Sequence, residues 1–154
     1  MPGPEIGGRL LAQGWCALSL LHDRIDAHLE RALQAGHDLS VREYSALVVL
    51  TEQNEGDFGH LSMSRLAETV SLSQSATTRL VTRLEDRGLL MRYLCPTDRR
   101  GIYTNVTDEG RALFEKARVT NDRALEEAFA QAEQAPELRP LVAVIRAMQA
   151  AATA

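Results

Sequence analysis

The sequence predicts a mainly α-helical protein with a small β-hairpin, and three patterns lead to that reading. Apolar residues recur at three- and four-residue spacing through most of the 154-residue chain, the signature of helices with one buried face. Two of these helical stretches, in the middle of the chain, are separated only by the tight turn "SLS". Directly after them, "LLMRYL" and "IYTNV" flank "CPTDRRG", two short runs of β-favouring residues around a proline and glycine turn.

Each element follows in order. From Leu10 to Leu33, the positions Leu11, Trp15, Leu18, His22, Ile25, Leu29 and Ala32 alternate in steps of four and three, which predicts a long helix with a coiled-coil-like seam. "LSVREYSALVVLTEQ" opens with Ser40 and Glu43 in a capping-box arrangement and continues with Tyr44, Leu47, Val48 and Leu50 at helical spacing. "NEGDFGH", residues 54–60, breaks the pattern and leaves room for only a short strand. Leu61, Leu66, Ala67 and Val70 then predict a short helix. Ser73 caps a further helix that runs to Arg87 and is closed by Gly88. Two helices joined by so short a turn form a helix-turn-helix, and the hairpin that follows stands beside it as a wing. Thr107 caps another long helix, and Pro136 and Pro140 mark the entry to a last one, "LVAVIRAMQAA".

Composition sets bounds on function. The length suits one domain, long enough to bury roughly two-thirds of its unfolded surface. No basic leader or long apolar run stands near the start, so a soluble, cytoplasmic protein without a membrane partner is expected. Cys16 and Cys95 match no CxxC or zinc-ribbon spacing, and no HxxxH pair exists, so neither a metal nor another cofactor is expected. No nucleophile-and-base spacing and no phosphate-cradling glycine loop occurs, which argues against an enzyme.

The net charge of −4 conceals an asymmetry. Residues 61–104 hold seven arginines against four acids, a local charge of +3, while the remainder holds ten basic and seventeen acidic residues, −7. A basic middle within an acidic chain is the footprint of a surface that meets a polyanion. Stepping 100° per residue along the helix after Ser73 gathers Ala76, Thr77, Leu80, Val81 and Leu84 on one face, suited to anchoring. Ser75, Thr78, Arg79, Thr82 and, at the edge, Arg83 gather on the other. Short hydroxyls permit close approach to a major groove, and an arginine can fork onto guanine O6 and N7. Gln74 and Ser75 lie in the first turn, where free backbone N–H groups favour phosphate. The wing tip supplies Arg99 and Arg100 to an adjacent minor groove, whose strong negative potential attracts guanidinium. Asp98 is spaced to hold Arg100 in the geometry required for insertion. A winged module that binds another polypeptide is the alternative, but it has no use for these arginines.

The stretch "RLAETVSLSQSATTRLVTRLEDRGLLMRYLCPTDRRGIYTNVTDEG", followed by a long helix, resembles the MarR family of bacterial winged-helix transcription regulators. The resemblance rests on Asp98 and Arg100 in the wing, "RLEDRGL" at the end of the recognition helix and "TDEG" at the start of the next helix. It implies a single domain over residues 1–154, with a winged helix-turn-helix module at 40–106 and dimerisation helices at 10–35 and 107–152. It further implies a homodimer on double-stranded DNA, each module reading half of a pseudo-palindromic operator, and release by a small effector, often aromatic, in a crevice. Trp15, His22, Tyr44 and His60 are the residues here that can line such a crevice, although side chains of these types more often fill a core or a helix seam. Cys16 lies near the reactive cysteine position of the family's peroxide-sensing branch, but Glu30 and Val41 stand where that branch places supporting tyrosines. Thiol-based sensing through Cys16 is therefore the second expectation.

Overall fold

The computed structural model describes residues 4–54, 61–94 and 101–153. In chain order these form α1 (Pro4–His37), α2 (Val41–Asn54), β1 (Leu61–Ser62), α3 (Met63–Thr69), α4 (Gln74–Asp86), β2 (Leu90–Leu94), β3 (Ile102–Val106), α5 (Asp108–Ala132) and α6 (Arg139–Ala152). The expected mainly helical fold with a hairpin is present, with one strand added. The sheet has three antiparallel strands in the order β1-β3-β2. The hairpin pairs without interruption from Leu90 opposite Val106 to Leu94 opposite Ile102.

Leu61 corrects the sequence reading, which places it in the short helix. It pairs with Thr104 on the edge of β3, and the Thr104 hydroxyl donates to its carbonyl at 3.1 Å. Ser62 then caps α3, its hydroxyl accepting from the Arg65 N–H. A strand of two residues has no period to read, and β3 is needed to complete its hydrogen bonds.

The chain divides into two compact units. Residues 33–120 form the winged unit, whose core contains Leu33, Leu39, Leu47, Leu66, Val81 and Leu84, all fully buried. Caps set its local geometry. Ser40 and Glu43 close the predicted box, with the Ser40 N–H donating to Glu43 Oε2 at 2.8 Å and the Glu43 N–H to Ser40 Oγ at 3.1 Å. At the far end, Thr107 Oγ1 donates to the Gly88 carbonyl at 2.6 Å and accepts from the Gly110 N–H at 3.0 Å, seating the start of α5 on the turn after α4. Tyr44 is buried in this core, stacked on Phe114 with ring centroids 5.9 Å apart.

Residues 1–32 and 121–154 form the other unit, with a smaller core of Leu21, Ala132, Leu138 and Val142. Arg146 is held there by Glu126 at 2.7 and 2.5 Å and by Glu133 at 3.3 Å, and its guanidinium lies 5.7 Å from the centroid of the Phe129 ring. Several large apolar side chains of this unit face solvent: Leu10, Leu11, Trp15, Leu18 and Leu20 on α1, and Val144, Ile145 and Met148 on α6. No helix among the described residues is long and apolar enough to cross a membrane, and no group of three metal-ligating side chains occurs among them.

Candidate nucleic-acid interface

The helix-turn-helix is built by α3, a tight turn and α4. Ser71 adopts the left-handed conformation at φ 54°, and the Leu72 N–H returns to the Ala67 carbonyl at 3.0 Å, which reverses the chain within three residues. Ser73 has extended backbone angles, and its hydroxyl accepts from the Ala76 N–H, so the remaining first-turn N–H groups of α4 point outward. The helix ends at Arg87, followed by Gly88 at φ 73°, as a left-handed closing residue requires.

The two faces of α4 separate as the 100° stepping predicts. Thr77, Leu80, Val81 and Leu84 are buried. Gln74, Ser75, Thr78, Arg79 and Arg83 are exposed, and Thr82 is half-buried. Thr78 donates its hydroxyl to the Gln74 carbonyl at 2.9 Å, leaving its oxygen lone pairs outward as acceptors. The Arg79 guanidinium makes no ion pair among the described residues, and the residue is exposed. Arg83 differs: its Nε is 3.0 Å from Glu43 Oε1, on a carboxylate that is almost wholly buried.

A polar tie that sequence reasoning misses holds the wing to α4. Glu85 accepts from the Arg92 backbone N–H at 3.2 Å, from its Nε at 2.9 Å and from its Nη2 at 2.6 Å. Nothing local signals this pair, because the closing turn of α4 lies between them. Arg92, Ser62, Ser64, Thr78 and Gly101 also line a cleft of about 320 Å³ beside the wing. The Arg92 hydrogen bonds hold the Glu85 carboxyl below its ordinary value. A carboxyl depressed in the folded state contributes stability that is complete above its unfolded value and is lost as pH falls through the folded one. Thermal melts of the wild type and Glu85→Gln are therefore expected to differ at neutral pH and to converge as the pH falls below the ordinary carboxylate range; a constant difference would contradict the assignment.

Asp98, Arg99, Arg100 and His60 lie outside the described residues. Trp15 is 68% exposed on α1. His22 is also exposed, its Nδ1 3.3 Å from Asp23 Oδ1. Tyr44 is in the other unit, in contact with Phe114. Cys16 is an exposed free thiol on α1, beside Leu10, Ala17, Leu20, Pro140 and Leu141 in an apolar groove of about 890 Å³.

Comparison with known proteins fits this geometry. The MarR family model matches residues 39–102. The chain is 30% identical over 125 residues to the HTH-type transcriptional regulator PecS of Dickeya dadantii (strain 3937), an alignment covering 77% of this chain and 74% of that protein. The chain belongs to the MarR family. As a MarR family member it is a DNA-binding transcription regulator and not an enzyme. Among solved MarR family structures it is similar to Sco3205 from Streptomyces coelicolor in complex with DNA, at 28% identity and a TM-score of 0.68, over 92% of this chain and 84% of that one. It is also similar to CouR from Rhodococcus jostii RHA1 bound to p-coumaroyl-CoA, at 32% identity and a TM-score of 0.62, over 86% and 85% of the two chains.

Proposed function

We propose that this MarR family regulator is a homodimeric repressor that reads a pseudo-palindromic operator and releases it when a small aromatic effector binds. The observation that carries the DNA reading is the outward face of α4, where Ser75, Thr78 and an Arg79 without an ion pair among the described residues stand together above a fully buried anchoring face. Hydroxyl side chains and the first-turn N–H groups near Gln74 position the helix on phosphates, and Arg79 forks onto a guanine in the major groove. Arg99 and Arg100, with Asp98 as the acid that orients Arg100, act from the wing in the minor groove.

Support for a homodimer comes from the exposed apolar side chains of α1 and α6. A second copy that buries them removes a large hydrocarbon surface from water. Two-fold symmetry then sets two half-sites about one helical turn apart. The effector reading rests on the aromatic ligand of the similar CouR. An effector acts only if it favours the arrangement that does not bind DNA, since equal affinity for both arrangements shifts neither.

Selection from a random duplex library tests the central claim. The wild type is expected to return a palindromic consensus. Arg79→Ala is expected to lose preference at particular base pairs and to bind the wild-type site about 1–3 kcal/mol more weakly, the value of a forked guanine contact. An unchanged consensus for the variant would remove Arg79 from base readout, and equal binding of every duplex by the wild type would overturn the operator reading.

A further inference from the structure

Arg83, in the last turn of α4, and Arg87, its closing residue, stand one turn apart and reach back to the two sides of the α1–α2 junction: Arg83 to the first turn of α2, Arg87 to the end of α1 and Asp38. Arg87 donates through Nη1 to the Asp38 carbonyl at 2.5 Å and through Nη2 to the His37 carbonyl at 3.1 Å. Arg83 Nε meets Glu43 Oε1 at 3.0 Å. Asp38 is in the left-handed conformation at φ 52°, and the His37 ring hydrogen-bonds the Thr120 hydroxyl at 2.7 Å, so the joint is tied to α5 as well.

Glu43 is 2% exposed, and its two carboxylate oxygens divide their work: Oε2 accepts from the Ser40 N–H and Oε1 faces Arg83. An almost fully buried carboxylate does not meet a phosphate or a base. Leu80, Val81 and Leu84 hold α4 against the core, but apolar contact is non-directional and leaves the helix free to roll by small angles. An ion pair at one fixed point off the helix axis resists that roll, and losing its partner leaves a desolvated carboxylate.

Taking as given that α4 is the DNA-reading helix, we propose that Arg83 and Glu43 form a positioning pair: Arg83 acts through Glu43 to set the roll of α4, so that Arg79 and Thr78 are presented to the groove. Arg83 does not itself read a base. Arg87 secures the same end of the helix on backbone carbonyls.

The test measures operator binding as a function of salt for the wild type, Glu43→Gln, Arg83→Gln and the double variant of the full-length protein. Glutamine keeps an acceptor for the Ser40 N–H and so retains the capping box, while it removes the charge that faces Arg83. Each single variant is expected to bind the operator about tenfold more weakly, and the double variant no more weakly than either single one, the non-additivity of residues that act as a pair. The slope of log K against log salt is expected to stay at its wild-type value in all of them, and the selected consensus is expected to be unchanged. If Arg83 instead neutralised a phosphate, Arg83→Gln would make that slope shallower by about 0.9 per phosphate. Circular dichroism checks folding, and because Arg83 is mostly exposed, Arg83→Gln carries the slope and consensus readouts even if Glu43→Gln fails to fold. Wild-type affinity in folded Glu43→Gln, additive losses, a reduced slope or an altered consensus in Arg83→Gln would each overturn the proposal. Absence of specific binding by the wild type would instead overturn the DNA reading on which it rests.

Discussion

Gly110→Ala is expected to destabilise the winged unit by about 3 kcal/mol, the upper end of the usual cost of overpacking. A Cβ at this position collides with the Leu89 carbonyl oxygen and comes within 2.7 Å of Val106 Cγ2. Neither neighbour is the loose end of a flexible side chain. The Leu89 carbonyl accepts from the Thr107 N–H at 3.1 Å, and Val106 is buried and paired with Leu90 in the hairpin. Alanine favours a helix over glycine by about 1 kcal/mol, so the net loss measures how far the collision outweighs propensity. The first turn of α5 must move away from β3 to admit the methyl group, and the Thr107 cap must move with it. Urea denaturation checks this. A midpoint at or above the wild-type value would mean that α5 is not seated on the Leu89 turn as described.

Leu84→Ala is expected to cost about 2–5 kcal/mol, because truncating a fully buried leucine forfeits transfer energy and leaves a cavity behind. Leu84 belongs to the same core as Leu66, Val81, Leu89 and Leu90, so it anchors the recognition helix both to α3 and to the first strand of the wing. Ser75→Ala, on the exposed face of the same helix, is expected to stay within about 0.5 kcal/mol of wild type. The contrast between two residues of one helix separates its anchoring face from its outward face. Denaturation of the two variants side by side supplies the measurement, and similar losses for both would contradict the division of faces.

Much of this chain is written locally. The Ser40 and Glu43 box, the Ser73 cap, the left-handed Gly88 and the Thr107 cap each join residues one to four positions apart, and each is legible because the interacting groups are close in sequence. The buried stripe of α4 is legible for a related reason: helical periodicity fixes which side chains share a face before any partner is known. The outward hydroxyls and Arg79 follow as the residues left over. Tertiary structure decides what no period encodes. Leu61 becomes a strand residue because β3 offers it hydrogen bonds from more than forty positions away. Glu43 can be read as a cap, yet the partner of its second oxygen lies forty residues on, at Arg83. Glu85 with Arg92, Arg87 with the end of α1, and Tyr44 with Phe114 are of the same kind. Caps and faces are set by the geometry of a single helix, which the sequence specifies by itself. A directional contact between distant residues exists only after the packed core has brought their elements within hydrogen-bonding reach.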